Sequence, residues 1–176
     1  MSAAPLARLA LRLPVTIRAC RQEDVRLLEW EGLFTPHRAI IEEAWRRHVG
    51  GTNVMIVADM SGYPVAQVWI DLEKLEGGAA AVLWALRVHP VLQRAGLGSR
   101  LLREAERWLI SRGFSVVEIG VDKSNPEALR LYERLGYHVD RGSIEQYQYV
   151  TPDGTQVDAV ADLWMLRKPL AAGVPR

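Results

Sequence analysis

Residues 83–125 read LWALRVHPVLQRAGLGSRLLREAERWLISRGFSVVEIGVDKSN, and this stretch decides the fold. Leu83 to Val88 is a short apolar run of the kind that forms a buried strand. His89-Pro90 closes it, because proline donates no ladder hydrogen bond and restricts the residue before it. Gln93-Arg94-Ala95-Gly96-Leu97-Gly98 follows. Leu101, Leu102, Ala105, Trp108 and Leu109 then recur on one helical face. Gly113 falls where a left-handed residue ends a helix, and Phe114 to Val121 reads as a second buried strand. The order is strand, glycine loop, amphipathic helix, strand.

A glycine loop that opens a helix has a definite chemistry. The first N–H groups of a helix lack internal partners, and the helix dipole adds partial positive charge there. Glycines remove the side chains that would hold an anion off. Arg94 adds a full charge and a fork of donors. The loop therefore suits a phosphate or pyrophosphate. It is not a P-loop, because no Gly-Lys-Ser/Thr follows the glycines. Nor is it G-x-G-x-x-G, because Leu101 stands where the third glycine belongs. A dinucleotide site also wants an acidic residue about 20 positions on. Glu118 is at that distance but inside its strand, and the chain has too few strand–helix repeats for a full dinucleotide fold.

Val88-His89-Pro90 followed by Gln93-Arg94-Ala95-Gly96-Leu97-Gly98 resembles the acetyl-CoA signature of the GNAT acetyltransferase superfamily. Residues 125–137, NPEALRLYERLGY, resemble the family's second segment, N-x-x-A-x-x-L-Y-x-x-x-G-F/Y. The resemblance runs from about Val15 to Leu170. It implies an α/β fold, a mixed sheet of six or seven strands with about four helices. It implies acetyl transfer from acetyl-CoA, as cosubstrate, to a primary amine of a small molecule or a peptide. By that match Leu86, Arg87 and Val88 line the pantetheine arm where two strands splay apart. Arg94, Ala95, Gly96, Leu97, Gly98 and Ser99 hold the pyrophosphate, and Asn125 also contacts the cofactor. Tyr132 stands where the family places the acid that protonates the departing thiolate.

These residues also have plain structural readings. Asn125 before Pro126 is an ordinary helix N-cap, and Pro126 suits the first helical position. Tyr132 shares a helix with Ala128, Leu131 and Leu135 and could simply pack. The general base is the least legible part. An acceptor amine has a pKa near that of lysine, about 10.4, so a proton must be removed before attack. Where many family members carry a glutamate before Val-x-Pro, this chain has Trp84 and Ala85. Where others carry one five residues before the motif Asn, it has Gly120. Glu118, two residues earlier on the same strand face, is the nearest carboxylate substitute. A water relay, Glu29 or Glu31 are the other options.

The remaining chain sets limits. At 176 residues with 49% hydrophobic residues, a single domain at 15–170 with a real core is expected. Residues 1–14 read as an N-terminal extension and 171–176 as a C-terminal tail. A net charge of +1 suggests neither a nucleic-acid nor a membrane partner. One cysteine, Cys20, fits a reducing compartment, and a cytoplasmic location is expected. The four histidines lack zinc-ligand spacing, so no metal is expected. A homodimer is left open.

Val15 to Ala19 alternates as a strand, and Asp24 can cap a helix through Val25 and Leu28. A second helix spans Arg38 to His48. Glu29, Trp30 and Glu31, between them, are the acceptor-site candidates. They could receive a cationic amine by charge and cation–π contact, or be a solvated helix end with one packed tryptophan. Val54–Asp59 and Val65–Leu72 read as strands joined by a short turn, and Gly77-Gly78 marks another turn. Gly142–Val150 and Gln156–Leu166 form the last hairpin, made aromatic by Tyr147, Tyr149 and Trp164; the resemblance implies that it shapes the acceptor pocket, and ordinary cross-strand aromatic packing is the other reading. A protein with this fold that binds CoA without catalysis, as a sensor or interaction module, is the alternative function.

Overall fold

Apolar residues on both sides of a strand require cover on both faces of the sheet, and this chain supplies it. The computed structural model describes residues 12–73, 80–151 and 153–170. The strands are β1 (Thr16–Ala19), β2 (Asn53–Met60), β3 (Tyr63–Asp71), β4 (Ala80–Val88), β5 (Val116–Asp122), β6 (His138–Val150) and β7 (Gln156–Pro169). They form one sheet in the order β1-β2-β3-β4-β5-β7-β6. The β4–β5 pair is parallel and the other neighbours are antiparallel. Four helices accompany it: α1 (Asp24–Leu27), α2 (Arg38–Val49), α3 (Leu97–Ser111) and α4 (Pro126–Arg134). The implied α/β architecture is thus the observed one. Gly77-Gly78 and the tail 171–176 lie outside the described residues, as does all but 12–14 of the N-terminal extension.

Side-chain alternation divides the core. Ile56 and Ala58 of β2 point to the cluster that holds Leu101, Leu102, Ala105 and Leu109 of α3. Met55 and Val57 point to the other face, with Leu28, Ile41, Ala44 and Trp69. Each fully buried Leu or Ile contributes about 1.5–3 kcal/mol, so α3 is held chiefly by its apolar stripe. Gly113 ends that helix with φ +84, as its position suggests. The β2–β3 turn is tighter than its composition indicates. Only Ser61 and Gly62 lie between the paired Met60 and Tyr63, with φ +56 and +86, the mirror-image turn that suits strand twist.

The first helix differs from expectation. Asp24 does not cap a long helix; it lies in the first turn of a four-residue one, with Glu23 at the N-cap. Its carboxylate is taken by Arg18, at 2.6 and 2.9 Å, and by the Arg21 N–H at 2.7 Å. Arg18 also pairs with Asp59 of β2. Trp30, Glu31 and Gly32 follow with three consecutive positive φ angles, which helix geometry excludes.

Candidate active site

The site begins where β4 leaves β5. The two strands pair from Ala80↔Val116 to Leu83↔Ile119 and then diverge. Beyond that point β5 stays with β7, through Gly120↔Met165 and Asp122↔Leu163. On β4 the register against β3 slips: Trp84 faces Trp69, Arg87 faces Gln67, and Ala85 and Leu86 share Val68. This is a β-bulge, and Ala85 carries it at φ +49. The bulge re-aims the side chains of the strand. Leu86 and Val88 line a cleft of about 790 Å³ between β4, β5 and α4. Trp84, Ala85 and Arg87 line a second cavity of about 490 Å³. β4 is therefore a wall shared by two cavities.

The glycine loop closes one end of the cleft. Arg94 (φ +64) and Gly96 (φ +81) turn the chain into α3. The first internal bond of α3 runs from Arg100 N–H to Gly96 C=O at 3.1 Å. The N–H groups of Leu97, Gly98 and Ser99 precede it, and no side chain caps them. These three residues, Gly96 and Arg94 all line the cleft, with the Arg94 side chain 88% exposed. The two glycines act differently. A Cβ at Gly96 would meet nothing within 4 Å, so that glycine serves the left-handed turn. A Cβ at Gly98 would lie 3.7 Å from Val88 Cγ2, so that glycine keeps the cleft mouth open. Ala95 is not on the cleft wall; its N–H donates to the Leu92 carbonyl at 3.4 Å.

Opposite the loop stands α4. Asn125 Oδ1 accepts the Ala128 N–H at 3.0 Å, so Asn125 is the N-cap, and it also lines the cleft. One turn and more along the helix, Tyr132 faces the cleft while 94% of its surface is covered, leaving 6% exposed. Burial pushes its phenol up to about 12. Tyr137, at the end of the same segment, is wholly buried and donates to Glu106 Oε1 at 2.8 Å.

The second cavity joins β4 to α2 and to β6. His37, Ile40, Glu145, Tyr147 and Gln148 share its wall with the β4 residues and with the paired Arg47 and Asp71. Arg87 is its notable cation. The guanidinium lies 4.1 Å over the Phe34 ring, and Nη1 is covered without a hydrogen-bond partner. Desolvation brings its pKa down to about 10. His37 stacks on Tyr149 at 5.6 Å. Burial, then the charge of Arg87, lowers the pKa of His37 below the usual imidazole value.

Several sequence-derived expectations meet different surroundings. Arg87 does not join Leu86 and Val88 along the cleft; the bulge turns its side chain into the other cavity. Glu118 is buried at 3% exposure and lines neither cavity. Its carboxylate accepts from Arg141 at 2.8 Å and lies 3.8 Å from Arg167. Glu29 is held by Arg38 at 2.7 Å and Thr35 at 2.8 Å. Glu31 accepts the Tyr63 hydroxyl at 2.6 Å. Trp30 is 3% exposed, and its indole N–H donates to the Pro64 carbonyl at 2.7 Å. None of these three lines either cavity. His37 and Glu145 lie in no motif and carry no signal in the sequence, whereas Tyr147 belongs to the aromatic last hairpin; only the meeting of α2 with β6 brings the three together. Among the described residues, no group of three or more His, Cys, Asp or Glu side chains could hold a metal ion. No helix among them is long and apolar enough to cross a membrane.

A strand splayed from its parallel neighbour, a helix opened by glycines at the gap, and a buried tyrosine beside it define an acyl-CoA-type acyltransferase architecture. Residues 19–137 match the family model Acetyltransferase (GNAT) family, and the chain belongs to that family of acetyltransferases. Solved structures with the same fold include a GNAT acetyltransferase from Desulfovibrio desulfuricans, with TM-score 0.70 and 19% identity, covering 90% of this chain and 100% of that one. The ribosomal-protein-S18-alanine N-acetyltransferase of Escherichia coli matches with TM-score 0.67 and 23% identity, covering 92% and 97%. The spermidine N-acetyltransferase of Vibrio cholerae, solved with CoA and spermine, matches with TM-score 0.64 and 16% identity, covering 89% and 95%.

Proposed function

We propose that the chain transfers the acetyl group of acetyl-CoA directly to a primary amine, with CoA in the β4–β5 cleft and the acceptor in the second cavity. The observation that carries this reading is the shared wall. Leu86 and Val88 face the cleft and Trp84 and Arg87 face the cavity, so cofactor and acceptor can meet across one strand. Beyond Leu83 β4 pairs only with β3, so its edge toward β5 is open to the pantetheine arm. The N–H groups of Leu97, Gly98 and Ser99, with Arg94, receive the pyrophosphate.

The amine attacks the thioester carbonyl once it has lost a proton. In this reading His37 takes that proton, because it is neutral at pH 7 and lies on the acceptor cavity wall. Glu118, Glu29 and Glu31 are already engaged by Arg141, Arg38 and Tyr63 respectively. A backbone N–H near Val88 stabilises the tetrahedral oxyanion. The carbon–sulfur bond then breaks, the Tyr132 hydroxyl protonates the departing thiolate, and the second proton shed by the nitrogen as the amide forms returns to the Tyr132 oxygen. A phenol held at about 12 stays protonated throughout the neutral range.

The test joins titration calorimetry with acetyl-CoA to a CoA-release assay over a panel of amines. Micromolar binding and amine-dependent release are expected. Failure to bind acetyl-CoA would sink the cofactor assignment. Binding without release for any amine would favour a CoA-binding sensor or interaction module.

A further inference from the structure

The acceptor cavity holds a cation with no counter-ion. Among the described residues, no carboxylate pairs with Arg87 and no acceptor takes its side-chain N–H groups. Its neighbours are the Phe34 face, His37 and Tyr147, of which the two latter also line the cavity. A desolvated, unpaired guanidinium costs several kcal/mol, so such a group is uncommon without a use. Its flat fork of donors matches the two oxygens of a carboxylate. The other cation on this wall, Arg47, is already paired with Asp71 at 3.0 Å.

We propose that the acceptor is a small amine that also bears a carboxylate, an amino-acid-like molecule, and that Arg87 is the group that binds that carboxylate. The proposal rests on the acetyltransferase reading above and names its substrate class. The carboxylate anchors at Arg87, and the amine end lies toward the thioester and His37. A wholly cationic polyamine would instead meet the Arg87 charge inside a partly desolvated cavity, where like-charge repulsion is weakly screened. A peptide N-terminus carries no carboxylate beside its amine, so it would leave Arg87 unpaired. The bulge at Ala85 is what turns Arg87 into this cavity, so the strained backbone and the specificity have one origin.

The experiment compares amino acids, their carboxamides, spermidine and a short peptide in the CoA-release assay, for wild type, Arg87→Gln and Arg87→Lys. Hydrogen bonds to a charged group are worth about 1.5–3 kcal/mol. The ratio of kcat/KM for an amino acid over its amide should therefore be roughly 10- to 100-fold or more in wild type. Arg87→Gln should collapse that ratio, mainly through KM, and Arg87→Lys should restore part of it. A structural role would lower both substrates alike. The variant should also melt close to wild type, because the half-buried guanidinium has no ion pair to lose and gives up only its contact with the Phe34 ring. An independent arm titrates amine-free carboxylates into the CoA-loaded wild-type protein by calorimetry, with binding expected. Amides or spermidine used as well as amino acids, or no carboxylate binding in that titration, overturns the proposal. The acetyltransferase reading survives either result so long as acetyl-CoA binds and some amine releases CoA.

Discussion

Tyr132 is a phenol with little water around it, and that is the property an acid for a thiolate needs. Tyr132→Phe keeps the ring in its packing beside Tyr137, 6.1 Å away, and deletes only the proton. General acid catalysis contributes about 10²- to 10⁴-fold, so kcat should fall by that factor with acetyl-CoA affinity nearly unchanged. A variant with wild-type turnover, when chemistry limits the rate, would remove Tyr132 from the mechanism. The base is examined by pH. As the proposed base His37 would work as a neutral imidazole, so activity should disappear as pH falls through its lowered pKa, below the usual value near 6.5. Around it lie the Arg87 cation, the Tyr149 and Phe34 rings, and the cavity acids Glu145 and Asp71, the latter paired with Arg47. His37→Gln should lower kcat/KM about 10²-fold and erase the acidic limb. Glu118→Gln should leave that limb in place and cost about 1.5–3 kcal/mol of stability through the weakened bond from Arg141, which keeps its pairing with Asp140. Loss of the limb in Glu118→Gln instead would return Glu118 to the chemistry.

At the scale of elements, the start of α3 and the bulge in β4 are the two devices that make the site. Gly98→Val probes the first. Its Cβ fits at 3.7 Å from Val88 Cγ2 and 3.9 Å from Leu131 Cδ2, but two further methyls enter the cleft where pyrophosphate is expected. Overpacking of this kind costs about 1–3 kcal/mol, so acetyl-CoA should bind roughly 5- to 150-fold more weakly, with a small change in melting temperature. Equal affinities by calorimetry would disprove the loop assignment. The glycine loop, α3 and the N-cap of α4 were legible because each rests on local chemistry: a left-handed turn, an apolar stripe, a side chain that caps its own helix. The bulge was not. It arises from the pairing of β3 with β4, and nothing in Trp84-Ala85-Leu86-Arg87 by itself says that Arg87 turns away from Val88. Gly120 gives a similar lesson. A Cβ there would meet Met165 Sδ at 3.2 Å and Leu163 Cδ1 at 3.3 Å, so those two side chains of β7 would have to give by a few tenths of an ångström to admit one.

At the scale of the molecule, charge ties the N-terminal strand to the sheet. Arg18 of β1 joins the buried Asp24 to Asp59. Burial pushes the Asp24 carboxyl up, but its bonds from Arg18 and the Arg21 N–H outweigh this and hold the pKa below its ordinary value. Asp59 is lowered too, first by the Gly62 N–H and then by Arg18. A depressed carboxyl stabilises the fold above its unfolded pKa, about 3.9, and loses that contribution as pH falls through the folded value. The melting temperature should therefore hold between pH 7 and 5 and drop below about pH 4. Asp24→Asn should cost about 3–5 kcal/mol at neutral pH and flatten that acid limb. Urea melts at pH 7 and pH 3.5 measure both effects, and an equal acid loss in the variant would assign the limb elsewhere.

The sequence alone determined the class of fold, the glycine turn into α3 and the place of Tyr132 on α4, because those depend on residues within a turn or two of each other. Only the tertiary structure forms the second cavity, the proposed acceptor site. His37 comes from the start of α2, Arg87 from β4 and Tyr147 from β6, and they meet because the sheet order sets β4 near the last hairpin and α2 covers that face. The same packing gave Glu29 to Arg38, Glu31 to Tyr63 and Glu118 to Arg141, commitments that spacing along the chain does not reveal. A carboxylate's availability depends on which cation reaches it in three dimensions, and that is a property of the assembled sheet.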